Sequence, residues 1–125
     1  MTNLPTEKQF TFLNDLRDLV YQDAKDKGWH TSEPKFGDFI ANLHGEVSEL
    51  WESWRRGTLY ELCDKAQKMK EHNIAPLTCI EEELADICLR VCDMAAVFKV
   101  DLAKAVLTKL LFNRTRPFRN GGKLA

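Results

Sequence analysis

The stretch LHGEVSELWESWRRG, residues 43–57, carries two patterns at once. Leu43, Val47, Leu50 and Trp54 recur at intervals of three and four, the period of an α-helix with one apolar side. Glu46 and Glu49 stand three apart at the edge of that stripe, where burying a bare carboxylate is costly. Extended back to Phe36 and stopped by Gly57, the pattern predicts a helix over residues 36–56.

Working outward, the same period appears three more times. Phe10, Leu13, Leu16 and Val20 mark a helix over residues 7–27, with Thr6 and Gln9 at capping-box spacing and Gly28 at its end. A helix over residues 78–99 begins after Pro76, where Thr78 and Glu81 form a second capping box. Asp101 reads as the N-cap of a last helix carrying Leu102, Val106, Leu107, Leu110 and Leu111, closed by Pro117. A weaker amphipathic piece spans residues 59–71. Strand-like alternation is not sustained anywhere. The expectation is an all-α, antiparallel bundle of four main helices plus a short extra segment, forming one domain over residues 1–125 with a basic tail from about 112.

Composition narrows the function classes. Among 125 residues, 18 are basic and 19 acidic, a net charge of −1 that gives no general attraction to nucleic acid or an anionic membrane. The opening MTNLPTEKQF lacks the apolar core of a signal peptide, and no apolar run reaches the roughly 20 residues of a membrane span. A cytoplasmic protein is expected. In that compartment Cys63, Cys79, Cys88 and Cys92 are expected to be reduced; no Cys-x-x-Cys pair argues for zinc.

The stretch TCIEEELADICLRVCDMAAVF, residues 78–98, repeats the conflict of the opening one. Its stripe is Ile80, Leu84, Ile87, Val91, Met94 and Phe98, and Glu83 and Asp86 sit three apart beside it. Both acid pairs lie to the same side of their stripes on a helical wheel. If the two helices face each other antiparallel, Glu46, Glu49, Glu83 and Asp86 converge. At about 5 Å and an effective dielectric near 20, each pair of charges would repel by about 3 kcal/mol. Protons or a cation must relieve that, and all-oxygen ligation suits Mg²⁺, with Mn²⁺ as a substitute. The alternative is four solvated surface acids.

The ending KLLFNRTRPFRNGGKLA, residues 109–125, holds most of the local positive charge. Lys109, Asn113 and Arg116 share a helical face, and Arg119 and Lys123 flank a Gly-Gly turn. Cations near a carboxylate–metal cluster suit polyphosphate chemistry; the alternative is a frayed tail.

Together these residues resemble the MazG-like nucleotide pyrophosphohydrolases of the all-α NTP pyrophosphatase superfamily. GEVSE (Glu46, Glu49) matches that family's Glu-x-x-Glu pair, EELAD (Glu83, Asp86) its later Glu-x-x-Asp pair, and FNRTRPFRNGGKLA the close of many small members. Gly45 stands where relatives often carry another Glu, Asn120 where they often carry His, and the segment between the pairs is longer than in compact members. The resemblance implies Mg²⁺-dependent hydrolysis of a (deoxy)nucleoside triphosphate to monophosphate and pyrophosphate, for house-cleaning of the nucleotide pool. It implies the four acids as metal ligands, the five tail residues as phosphate contacts, and a homodimer or homotetramer with the site near a subunit interface. Alternatives are a phosphoribosyl-ATP pyrophosphohydrolase-like activity or a non-enzymatic helical interaction module. Among the remaining residues, Trp29, His30 and Trp51 are candidates to contact a base. Trp54 reads as core, His44 as structural or solvated, and Glu82 as solvated. Arg90 and Asp93 read either as supports of the acids or as an exposed pair.

Overall fold

A computed structural model describes residues 4–125; the first three residues of the expected domain lie outside it. The elements are α1 (Glu7–Asp26), α2 (Phe36–Arg55), α3 (Ala66–Glu71), α4 (Cys79–Val97), α5 (Leu102–Thr115) and a short turn α6 (Arg119–Gly122). The chain is all-α, a helical bundle. No strand occurs among the described residues; Leu62 and Thr78 make one isolated antiparallel bridge.

Local chemistry sets the helix ends. The Thr6 amide donates to Gln9 Oε1 at 2.8 Å. Thr78 and Glu81 exchange reciprocal bonds of 3.0 and 3.4 Å, so both capping boxes form. Asp101 Oδ1 accepts the Lys104 amide at 3.0 Å as an N-cap. Gly28 and Gly57 leave α1 and α2 at φ of 94° and 71°, a left-handed conformation that costs glycine little. The weaker segment differs from expectation. Only Ala66 onward is helical, because residues 59–65 spend their backbone groups on the start of α4: Cys63 N–H donates to Leu77 and Cys79 N–H to Glu61.

α4 is central and packs against α1 and α2. Phe36 and Phe39 meet Phe98, whereas Glu46 meets Arg90 further along, so α2 and α4 run antiparallel. α1 lies across the α4–α5 junction: Arg17 Nη1 donates to Val100 O at 2.6 Å, and the Asn14 amide both donates to Asp101 and accepts from Ala103 at 3.0 Å. Glu7 and Thr11 lie beside Leu107, so α5 follows α1 toward its N-terminus and away from the acid pairs.

His30 ties α1, α2 and α4 together. Its ring stacks between Tyr21 (5.3 Å) and Phe39 (5.9 Å), and Nε2 lies 2.8 Å from Asp93 Oδ1. His30 is thus spent on the fold, whereas Trp29 is exposed. Replacing His30 with Ala removes one part-buried bond and two ring contacts, and is expected to cost about 2–3 kcal/mol in urea unfolding.

The core within one chain is thin. Cys63, Ala66, Cys92, Ala95, Ala103 and Leu107 are its buried apolar residues, and all four cysteines are free. The apolar stripes of α2 and α4 are partly open: Val47 is 48% exposed, Trp54 58% and Leu84 49%. Trp54 is therefore not core; it stacks on Trp51 at 5.0 Å in the open, because its side of α2 faces neither α1 nor α4.

Candidate active site

The acids lie where α2 and α4 run side by side. Antiparallel packing brings carboxylate oxygens of Glu46, Glu49 and Glu83 within 4.8 Å of one another. A second set within the same span is Glu82, Glu83 and Asp86, so Glu83 belongs to both and joins Asp86 to the α2 pair. Glu83 is 8% exposed, and its Oε2 is buried with no hydrogen-bond partner. An orphaned, buried carboxylate oxygen among other acids is an arrangement that a cation would satisfy.

The electrostatics follow from that crowding. Burial first, and then the charge of adjacent Glu49 and a proton shared with it, push the Glu83 carboxyl up to about 7. Burial and the charges of Glu46 and Glu82 raise Asp86 as well, opposed by Lys65 and Arg90. Protons thus stand in where a cation is absent. Hard, clustered carboxylates with one oxygen left unbonded fit a divalent ion of the Mg²⁺ or Mn²⁺ type.

Two basic side chains border the acids. Arg90 donates from Nε and Nη2 to Glu46 Oε1 at 3.1 and 3.0 Å, linking α4 to α2. Arg90 therefore supports an acid of the set, while Asp93 serves His30. Lys65, just before α3, bonds Glu82 Oε1. Glu82 is only 9% exposed, which corrects its reading as solvated. On an isolated wheel it points away from α2, but residues 59–65 fold back over that side of α4. The run of three glutamates at 81–83 was the visible signal; no local pattern marked Lys65.

The C-terminal residues are placed elsewhere. Lys109 lines an open groove on α5 with Asp101, Lys104 and Phe112, and its Nζ lies 4.9 Å from the Phe112 ring. Asn113 on α5, Arg116 at its C-cap, Arg119 in α6 and Lys123 after it are all exposed, at and beyond the end of the helix that leads away from the acids. Arg119, Asn120, Gly121 and Gly122 all have positive φ, so the Gly-Gly ending is a tight left-handed turn. His44 is exposed.

Comparison with known proteins finds similar chains. Over 105 residues the chain is 31% identical to dCTP pyrophosphatase 1 of Rattus norvegicus and of Homo sapiens, and over 107 residues 33% identical to that of Mus musculus. The chain is a homologue of dCTP pyrophosphatase 1, of the MazG-like family. The matched region covers 83% of this MazG-like chain and 58% of each relative, so it spans little more than half their length. No family model matches the chain, and no solved structure does. No helix of the described residues is long and apolar enough to cross a membrane.

Proposed function

We propose that this MazG-like protein is a divalent-cation-dependent pyrophosphohydrolase that cleaves a nucleoside triphosphate, in the first instance dCTP, to the monophosphate and pyrophosphate. The observation that carries the reading is Glu83 Oε2, buried and unpartnered between carboxylates of two antiparallel helices. The relatives' name supplies the substrate class and the first base to test.

In this reading Glu46, Glu49, Glu83 and Asp86 hold Mg²⁺, with Mn²⁺ as a substitute, and Glu82 stands beside them. When bound, the ion draws charge from the phosphate oxygens and makes water a better nucleophile. A carboxylate of the set accepts the proton as water oxygen attacks the α-phosphorus. The α–β anhydride bond breaks, and pyrophosphate leaves. Arg90 fixes Glu46 from across the helix pair and limits the repulsion among the acids. Lys109, Asn113, Arg116, Arg119 and Lys123 contact phosphate oxygens. Because α5 leads away from the acids in its own chain, a second copy presents these residues.

A homo-oligomer also accounts for the exposed apolar surface. A compact monomer of 14.4 kDa exposes about 6,800 Å². This chain exposes 9872 Å². An excess of about 3,000 Å² per chain is at the upper end of what obligate homodimers bury, whose interfaces total about 2,000–5,000 Å² or more over both chains. Val47, Trp51 and Trp54 each follow by one residue a part-buried or acid position on α2 (Glu46, Leu50, Ser53), a turn of about 100°. Leu84 and Cys88 stand likewise one residue after Glu83 and Ile87 on α4, and Val91 shares their side. In an antiparallel pair, equal turns of the same sense reach one common side. That apolar side lies across the helix pair from the acids and fits a second copy of the chain.

The test is a panel of deoxy- and ribonucleoside triphosphates with Mg²⁺, read by pyrophosphate release. Release from dCTP that stops on chelation of the cation is expected. Absence of release from every triphosphate overturns the reading, and turnover of phosphoribosyl-ATP alone moves the protein to the alternative activity.

A further inference from the structure

The two carboxylate sets share Glu83, and a protein cation already stands at the second of them. Lys65 Nζ bonds Glu82 Oε1 and lies 3.5 Å from Asp64 Oδ1. Its charge also reaches Asp86, pulling that carboxyl down. The Lys65 ammonium therefore sits at Glu82, one member of the Glu82–Glu83–Asp86 set, and Glu82 in turn holds the ammonium above its usual value. Arg90 takes one oxygen of Glu46 in the other set and leaves Glu83 Oε2 without a partner.

The two cations differ in kind. Arg90 is a planar fork fixed on α4, whereas Lys65 is a compact point charge on a flexible stem, 63% exposed and free to swing out. A lysine ammonium placed among carboxylates offsets the same repulsion as a metal ion there. Once an ion in the first set takes Glu83, only Glu82 and Asp86 remain for a second, and Glu82 is held by Lys65.

We propose that Lys65 is a tethered counter-cation that occupies the Glu82–Glu83–Asp86 position, so that without nucleotide the acid cluster binds one divalent ion instead of two. This rests on the acid cluster being a cation site. The residue comes from the segment between the two acid pairs, which folds onto the start of α4 and brings the ammonium to Glu82. Lys65 is a positioning residue: it sets where ions sit and leaves the bond-breaking to others.

The experiment is calorimetric titration of Mn²⁺ alone into the full chain, wild type and Lys65→Met, Lys65→Gln and Lys65→Arg, with thermal melts followed by circular dichroism to confirm folding. The wild type and the Arg variant are expected to bind one ion per chain. The Met and Gln variants are expected to bind two. Identical isotherms for all four proteins, two ions on the wild type, or a second ion on the Arg variant overturns the role of Lys65 and leaves the cation site standing. Lack of Mn²⁺ binding in every protein, wild type included, overturns the cation site itself.

Discussion

Glu83→Gln is expected to abolish divalent-cation binding and slow nucleotide hydrolysis at least 10³-fold while making the cation-free protein more stable. The two effects have one cause. In the folded chain the Glu83 carboxyl titrates near 7 instead of its ordinary 4.5, burial being the largest contribution. A raised carboxyl value means that folding opposes the charged form. The penalty is absent below about pH 4.5, grows between 4.5 and 7, and is complete above 7, where it amounts to about 3 kcal/mol. Glutamine carries no charge and escapes it. In urea unfolding with chelator, the variant should exceed wild type by about that amount at pH 8 and match it near pH 4.5. Cation affinity in the wild type should fall as pH drops below 7, because a protonated Glu83 cannot ligate. Equal stability of the two proteins at pH 8 would sink this account of the site.

Breaking the apolar side shared by α2 and α4 should have the other large effect. Val47→Asp with Leu84→Asp places two charges on positions that are half exposed in the single chain and covered in the proposed assembly. A free chain tolerates such changes within about 0.5 kcal/mol each. An assembled one loses several kcal/mol, since buried charges without partners are costly. Analytical ultracentrifugation is expected to show an oligomer for wild type and a monomer for the double variant, with loss of hydrolysis because phosphate contacts from the second copy are gone. A wild-type monomer at micromolar concentration would refute the interface.

The helices were legible because their signals are local. Thr6 with Gln9, Thr78 with Glu81, and Asp101 each satisfy backbone donors within three residues, so the chain states its own starting points. The approach of Glu83 to Glu46 and Glu49 was also readable, since matching flanks predict one side under antiparallel packing, whereas Asp86 groups with Glu82 and Glu83 and not with the α2 acids. What could not be read was which part of an apolar stripe its own chain would cover. Val47 and Leu84 obey the same period as Leu50 and Ile87, yet they face outward because α2 and α4 each have more apolar circumference than their neighbours occupy. Glu82 and Lys65 escaped for a related reason. Their meeting depends on a fold-back of residues 59–65, which carries no periodic mark.

The clamp at the α4–α5 junction bears on how the molecule is made. Asn14 and Arg17 find their partners at Asp101, Ala103 and Val100, separated from them by 83 to 89 positions. A nascent polypeptide emerging from its N-terminus therefore exposes those two polar groups to water until that junction follows. Only when the hundredth residue has emerged can the ring of contacts close. Closure of the domain thus waits on that junction, and chains interrupted before it lack the latch that ties α1 to the start of α5.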